Sequence, residues 1–159
     1  MLYVTLKAIH LLAVVVWVGG MFFMLACLRP AADAVLEPPA RLRLMHASMR
    51  RFFDIVIGAV AIVVVSGVSM IAMAGSTAAK AGLAFNMPLD WYVMVGGFIA
   101  MLAIFAHVRI VLFDRLGRAV ADEAWPRGAA AAGAIRIEVM LNLVIGAFII
   151  VVMELGGTV

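Results

Sequence analysis

The chain has 159 residues, 67% of them apolar and 13% charged, with a mean hydropathy of +1.20. Water-soluble domains run at roughly half apolar and a quarter charged, so soluble enzymes and nucleic-acid modules are excluded. The net charge of +3 is then to be read first as a topology signal.

Four windows are long and apolar enough to cross a bilayer, since each crossing needs about 20 residues. The first runs from Ala8 to Leu28, between Lys7 and Arg29. It is longer than a signal-peptide core and is expected to stay in the chain, and "MLAC" before Cys27 is a poor lipoprotein site. The lone Cys27 cannot form an internal disulfide. The second window runs from Phe52 to Gly75 with Asp54 near its start, the third from Trp91 to Val108 between Asp90 and Arg109, and the fourth from Ile137 to Gly156. Backbone groups in hydrocarbon must be satisfied within the segment, and no ten-residue alternation is present, so these windows predict helices and not barrel strands. Residues 41–51 ("RLRLMHASMRR") and 109–121 ("RIVLFDRLGRAVA") keep arginines and apolar residues at helical spacing, which predicts helix extensions outside the membrane, with breaks at Pro38-Pro39 and Pro126.

The expected fold is a single all-α domain over residues 1–159, an integral membrane four-helix bundle with helices at about 8–28, 52–75, 91–108 and 137–156. An even number of crossings puts both termini on one side. Ten arginines fall in the first and third connections, whereas the opposite side holds only Lys7 and Lys80. By the positive-inside rule the arginines are cytoplasmic, giving an N-out/C-out, multi-pass protein of a bacterial cytoplasmic (inner) membrane with cytoplasmic helix extensions.

Polar side chains at membrane depth are costly and need a partner, a cavity or a cofactor. His10 lies near the outer end of the first helix and His107 near the inner end of the third. Those helices run in the same direction, so at 1.5 Å per residue the two rings differ in depth by roughly 20 Å. One iron between them is not expected; two sites, one near each membrane face, are the form in which both would serve haem. Close to the level of His10 lie Met70, Met73, Met94 and Met153, and imidazole with thioether suits either a haem b iron or copper(I). The competing reading is packing, because twelve methionines will fill gaps in any apolar core. Trp17 shares a face with His10, and Gly19-Gly20 follow as a close-packing point. Gly96, Ala100, Ala103 and His107 form a stripe on which a helix or a flat macrocycle could lie. At the inner boundary, Arg51, Arg136 and Asn142 stand with Glu138 and Asp54 either in an interfacial polar network or as a clamp for haem propionates. No nucleophile constellation, phosphate loop or zinc-type spacing is present in the sequence.

The segments Leu6–Phe23, Leu28–Pro30, Arg50–Gly67, Ile104–Ile110 and Ile135–Gly146, in that order, resemble the CopD-like superfamily of small bacterial membrane proteins, which is itself similar to the HemJ-type protoporphyrinogen oxidases. The resemblance implies a four-helix membrane protein linked to copper uptake in one branch, and to haem b and porphyrinogen oxidation in the other. Histidines of the first and third helices in the oxidase branch map onto His10 and His107. That branch also carries a histidine and a lysine just after the tryptophan of the third helix, where this chain has Val93 and Val95 after Trp91, so the CopD-like branch is the better match.

Three functions are therefore expected in order. The first is a haem b protein of electron transfer, or a haem-dependent oxidoreductase, with His10 as axial ligand and a membrane redox partner or quinone. The second is a periplasm-facing copper(I) uptake or resistance protein. The third is an accessory subunit, or a homo-oligomer, whose small-residue faces pack against other membrane helices.

Overall fold

The computed structural model describes residues 1–156. Four long helices carry almost all of them: α1 (Leu2–Val35), α2 (Pro38–Lys80), α3 (Leu89–Ala121) and α4 (Trp125–Gly156). No strand occurs among the described residues. Each apolar window lies inside one helix, and the arginine-bearing segments at 41–51 and 109–121 continue α2 and α3 beyond it. The connections are short, with only Leu36 and Glu37 between α1 and α2.

Local chemistry sets the helix ends. Leu36 is extended, and Pro38 at the start of α2 needs no hydrogen bond from a preceding turn. Helix α2 stops where Gly82 takes a positive φ of 71° and Leu83 N–H reaches the Ala78 carbonyl at 2.9 Å, a Schellman ending. Helix α3 ends the same way with Glu123 at φ 54° and Ala124 N–H donating to the Ala119 carbonyl. Here no glycine marks the turn; instead the Glu123 carboxylate meets Arg43 at 3.0 Å, and Arg43 also lies over the Trp125 ring.

Two helices contain a widened π turn, α1 at Met24–Leu28 and α3 at Val108–Leu112. In α1 the cause is visible, because Pro30 has no N–H to give the carbonyl one turn back. In α3 the turn keeps Val108, Leu112, Phe113 and Leu116 buried, so the extension stays packed as it leaves the apolar window.

Helices α1 and α2 form one antiparallel hairpin and α3 and α4 another, and the two hairpins pack on each other. Lipid tails are as apolar as leucine, so helix association rests on close packing rather than on expulsion of water. Gly20 supplies one such approach, since a Cβ there would sit 2.6 Å from the Phe52 ring. Gly97 supplies another, against Ile149 at the same distance. Gly19 and Gly96 meet nothing, and Ala100, Ala103 and His107 are exposed with Gly96. The stripe expected to take a helix or a macrocycle therefore faces outward from this bundle.

An aromatic column runs through the core. His46 stacks on Phe113 at 4.7 Å, Phe113 meets Phe53 edge-on, Phe53 meets Phe105, and Phe105 meets Trp17, which in turn meets Phe98. The Arg109 guanidinium lies over both Phe53 and Phe113. Large apolar side chains such as Val15, Ile55, Ile99 and Val144 are exposed all round the bundle, as a helix bundle immersed in hydrocarbon requires.

Candidate functional site

His10 stands on α1 two turns below Tyr3 and faces α2. Its Nδ1 is 2.9 Å from Ser66 Oγ. The Ser66 hydroxyl has one proton, and its closest acceptor is the Ile62 carbonyl one turn back on α2. With that proton directed to Ile62, Ser66 Oγ is an acceptor for His10, which favours the tautomer with the proton on Nδ1 and the lone pair on Nε2. Gly67 makes room for the ring: a Cβ there would meet His10 Cε1 at 3.3 Å.

His10 borders two adjoining cavities of about 280 Å³ each. The deeper one is almost wholly apolar, with Trp17, Phe98, Met101 and Gly146 among its walls. The other opens toward the helix ends that carry Tyr3, Lys7, Asp90 and Glu154. Its walls also contain Met70 of α2, Met94 of α3 and Met153 of α4. Beyond the deeper cavity the space is filled by Met21, Val56, Phe52 and Phe105.

The structure thus brings His10 together with three of the four predicted thioethers and with Trp17. Met73, one turn beyond Met70, is not in either wall. Thioether sulfur and an unprotonated imidazole nitrogen are soft to borderline donors that suit copper(I), and a hydrogen bond on the other ring nitrogen is the usual device for aiming such a ligand. Among the described residues, no cluster of three or more His, Cys, Asp and Glu suited to a metal occurs, so a donor set here depends on sulfur from methionine.

The remaining predicted residues lie elsewhere. His107 pairs with Glu138 at 2.8 Å, and its side chain is half exposed. Arg51 is exposed and borders none of these cavities, and Arg136 borders a much smaller one, about 50 Å³, with Arg29, Met45 and Met49. Asn142 is buried with its Oδ1 unpartnered, as is Trp17 Nε1, and Asn142 lines neither cavity that His10 borders. Ser66 and Gly67 were missed by sequence reasoning. Their signal was a serine beside a glycine in the middle of an apolar window, where a hydroxyl has a backbone carbonyl to bond and can accept from one further donor.

Among curated proteins and among solved structures, no match to the chain was found. The family model described as copper resistance protein D matches residues 46–155. The matched stretch includes Ser66, Met70, Met94 and Met153 but begins after His10. It covers more than half of the chain, and this multi-pass membrane protein therefore belongs to the copper resistance protein D family.

Proposed function

We propose that the chain binds copper(I) in the cavity bordered by His10, Met70, Met94 and Met153, as an uptake or resistance component of a bacterial cytoplasmic membrane. The observation that carries this reading is His10 itself: its Nδ1 lies 2.9 Å from Ser66 Oγ, and the residue borders a cavity that three methionines share. With the arginines on the cytoplasmic face, the cavity opens to the outer side. Asp90 and Glu154 border that opening with Lys7, an excess of one carboxylate that favours a cation, while the apolar inner wall favours a soft ion with few waters. Copper bound there is cargo or a resident ion of charge +1; the chain's part is to supply the donors, hold the imidazole tautomer and exclude water.

Titration of the detergent-purified protein with copper(I) against a chromophoric chelator tests the reading. One equivalent retained by the natural chain and lost in His10→Ala is expected. Retention by His10→Ala would overturn the site.

A second reading places haem b in the same space, with His10 as axial ligand and Trp17 and Phe98 as walls, for electron transfer with a membrane redox partner or quinone. The deep, apolar, aromatic-walled cavity favours it. The arginines assigned to its propionates, Arg51 and Arg136, border other parts of the molecule. A visible spectrum before and after dithionite separates the two: a Soret band with sharp reduced α and β bands means haem, and a colourless protein that takes up copper(I) means the thioether site.

A further inference from the structure

Beyond the three methionines at the outer His10 cavity, five more form a descending series through the interior of the bundle. Met101 is the innermost residue of α3 in the wall of the deeper cavity, and its Sδ would lie 3.6 Å from a Cβ at Gly146. Met21 of α1 is buried in the same cluster as Met101. Met24 of α1 borders a small cavity of about 50 Å³ together with Met45 and Met49 of α2. Phe52 and Val139 pack against the Met21 cluster and also wall that small cavity, so the two adjoin.

Two contacts set the heights of these side chains. Val18 and Met101 meet at Gly146, and Gly20 faces Phe52. From those registers, at 1.5 Å per residue, Met101, Met21, Met24 and Met49 follow one another in steps of about 5 Å or less, with Met45 about 6 Å further on. Steps of that size suit an unbranched thioether side chain with three rotatable bonds.

Packing alone accounts for methionine in an apolar core, but not for the polar group beside this series. Asn142 is buried on the face of α4 that carries Val139 and Gly146, and its Oδ1 has no hydrogen-bond partner among the described residues. An unpaired buried acceptor is a cost that an apolar residue would avoid, and a passing cation is the partner it lacks. At the inner end Arg29 and Arg136 border the small cavity, and the carboxylate nearest to Arg29 is Asp33 at 3.9 Å. Positive charge there disfavours a resting cation, so the inner methionines pass an ion on and do not store it.

We propose that this series is the route by which copper(I) leaves the His10 cavity for the cytoplasmic end of the bundle, an inference that rests on the copper reading of that cavity. Met101, Met21, Met24 and Met49 hand the ion down in turn, Asn142 Oδ1 assists beside them, and Met45 is the last donor. The ion keeps its charge of +1, and each transfer forms one copper–sulfur bond as another breaks.

Vesicles reconstituted with the full chain and loaded with a membrane-impermeant, chromophoric copper(I) chelator test the route, with copper(I) supplied outside. The natural chain should colour the lumen about tenfold faster than protein-free vesicles do. Met21→Leu, Met49→Leu and Asn142→Leu should each slow that rate about tenfold, as a barrier raised by roughly 1.4 kcal/mol would, and still retain one equivalent at His10 in detergent. Met140→Leu, at an exposed methionine outside the series, should change neither. Melting curves by circular dichroism establish that each variant is folded. Binding in detergent without transfer by the natural chain, or an unchanged rate in any of the three variants, overturns the route and leaves the outer site standing. A natural chain that retains no copper(I) in detergent overturns the copper reading and the route with it.

Discussion

His10 and Ser66 are 56 residues apart in the chain and 2.9 Å apart in the bundle, and the bond from Ser66 to the Ile62 carbonyl favours the tautomer with the proton on Nδ1. Ser66→Ala removes the acceptor and leaves the ring free to turn and to change tautomer. Loss of such a supporting hydrogen bond typically costs about 10–100-fold in metal affinity. That drop in copper(I) affinity is expected, measured by chelator competition, with the one-to-one stoichiometry retained. An unchanged affinity would mean that Ser66 does not position the ligand.

Gly67 tests the same ring from the other side. In Gly67→Ala the new methyl carbon stands 3.3 Å from His10 Cε1, tighter than ordinary contact, so the imidazole must shift by a few tenths of an ångström. A modest fall in copper(I) affinity is expected, smaller than for Ser66→Ala, with the melting temperature nearly constant. A larger residue such as Gly67→Leu should abolish binding outright.

The thioethers divide by position. Met→Leu swaps nearly conserve volume and usually cost less than about 1.5 kcal/mol of stability, so they separate sulfur chemistry from packing. Met70→Leu, Met94→Leu and Met153→Leu should each weaken copper(I) binding, because each borders the cavity with His10. Met73→Leu should not, since Met73 lies outside both walls. Equal behaviour of all four would argue that the methionines only fill space.

Two adjacent glycines give a prediction about the scaffold. Gly20→Ala would drive a Cβ to 2.6 Å from the Phe52 ring, whereas Gly19→Ala meets nothing within 4 Å. Overpacking of this kind costs about 1–3 kcal/mol. Gly20→Ala is expected to lower stability in a denaturing-detergent titration, and Gly19→Ala to leave it unchanged.

The helices were legible in the sequence because the bilayer imposes their length and because charged residues punctuate the apolar windows. So were the extensions, from arginines and leucines that keep helical spacing past the membrane boundary. The gathering of His10 with methionines near one end was also foreseeable, since depth follows from counting residues along a helix. Rotation about each helix axis was not. Hydrocarbon lies outside and apolar side chains lie inside, so no hydrophobic face betrays which way a residue points. The stripe of Gly96, Ala100, Ala103 and His107 had the spacing of a packing face and is turned outward, whereas neighbouring Gly97 makes the close approach.

The sequence by itself determined the solvent and the number of helices, because those depend on composition and chain length alone, but not the helix ends, since α1 runs on to Val35 and α4 begins at Trp125, outside the apolar windows. Only the tertiary structure decided that Ser66 meets His10, that Met73 is left out of the wall, and that His107 is taken by Glu138. Each of these depends on how two helices are rotated against each other, and that rotation is fixed by the fit of small residues to large ones across the interface, which no single helix carries in its own pattern.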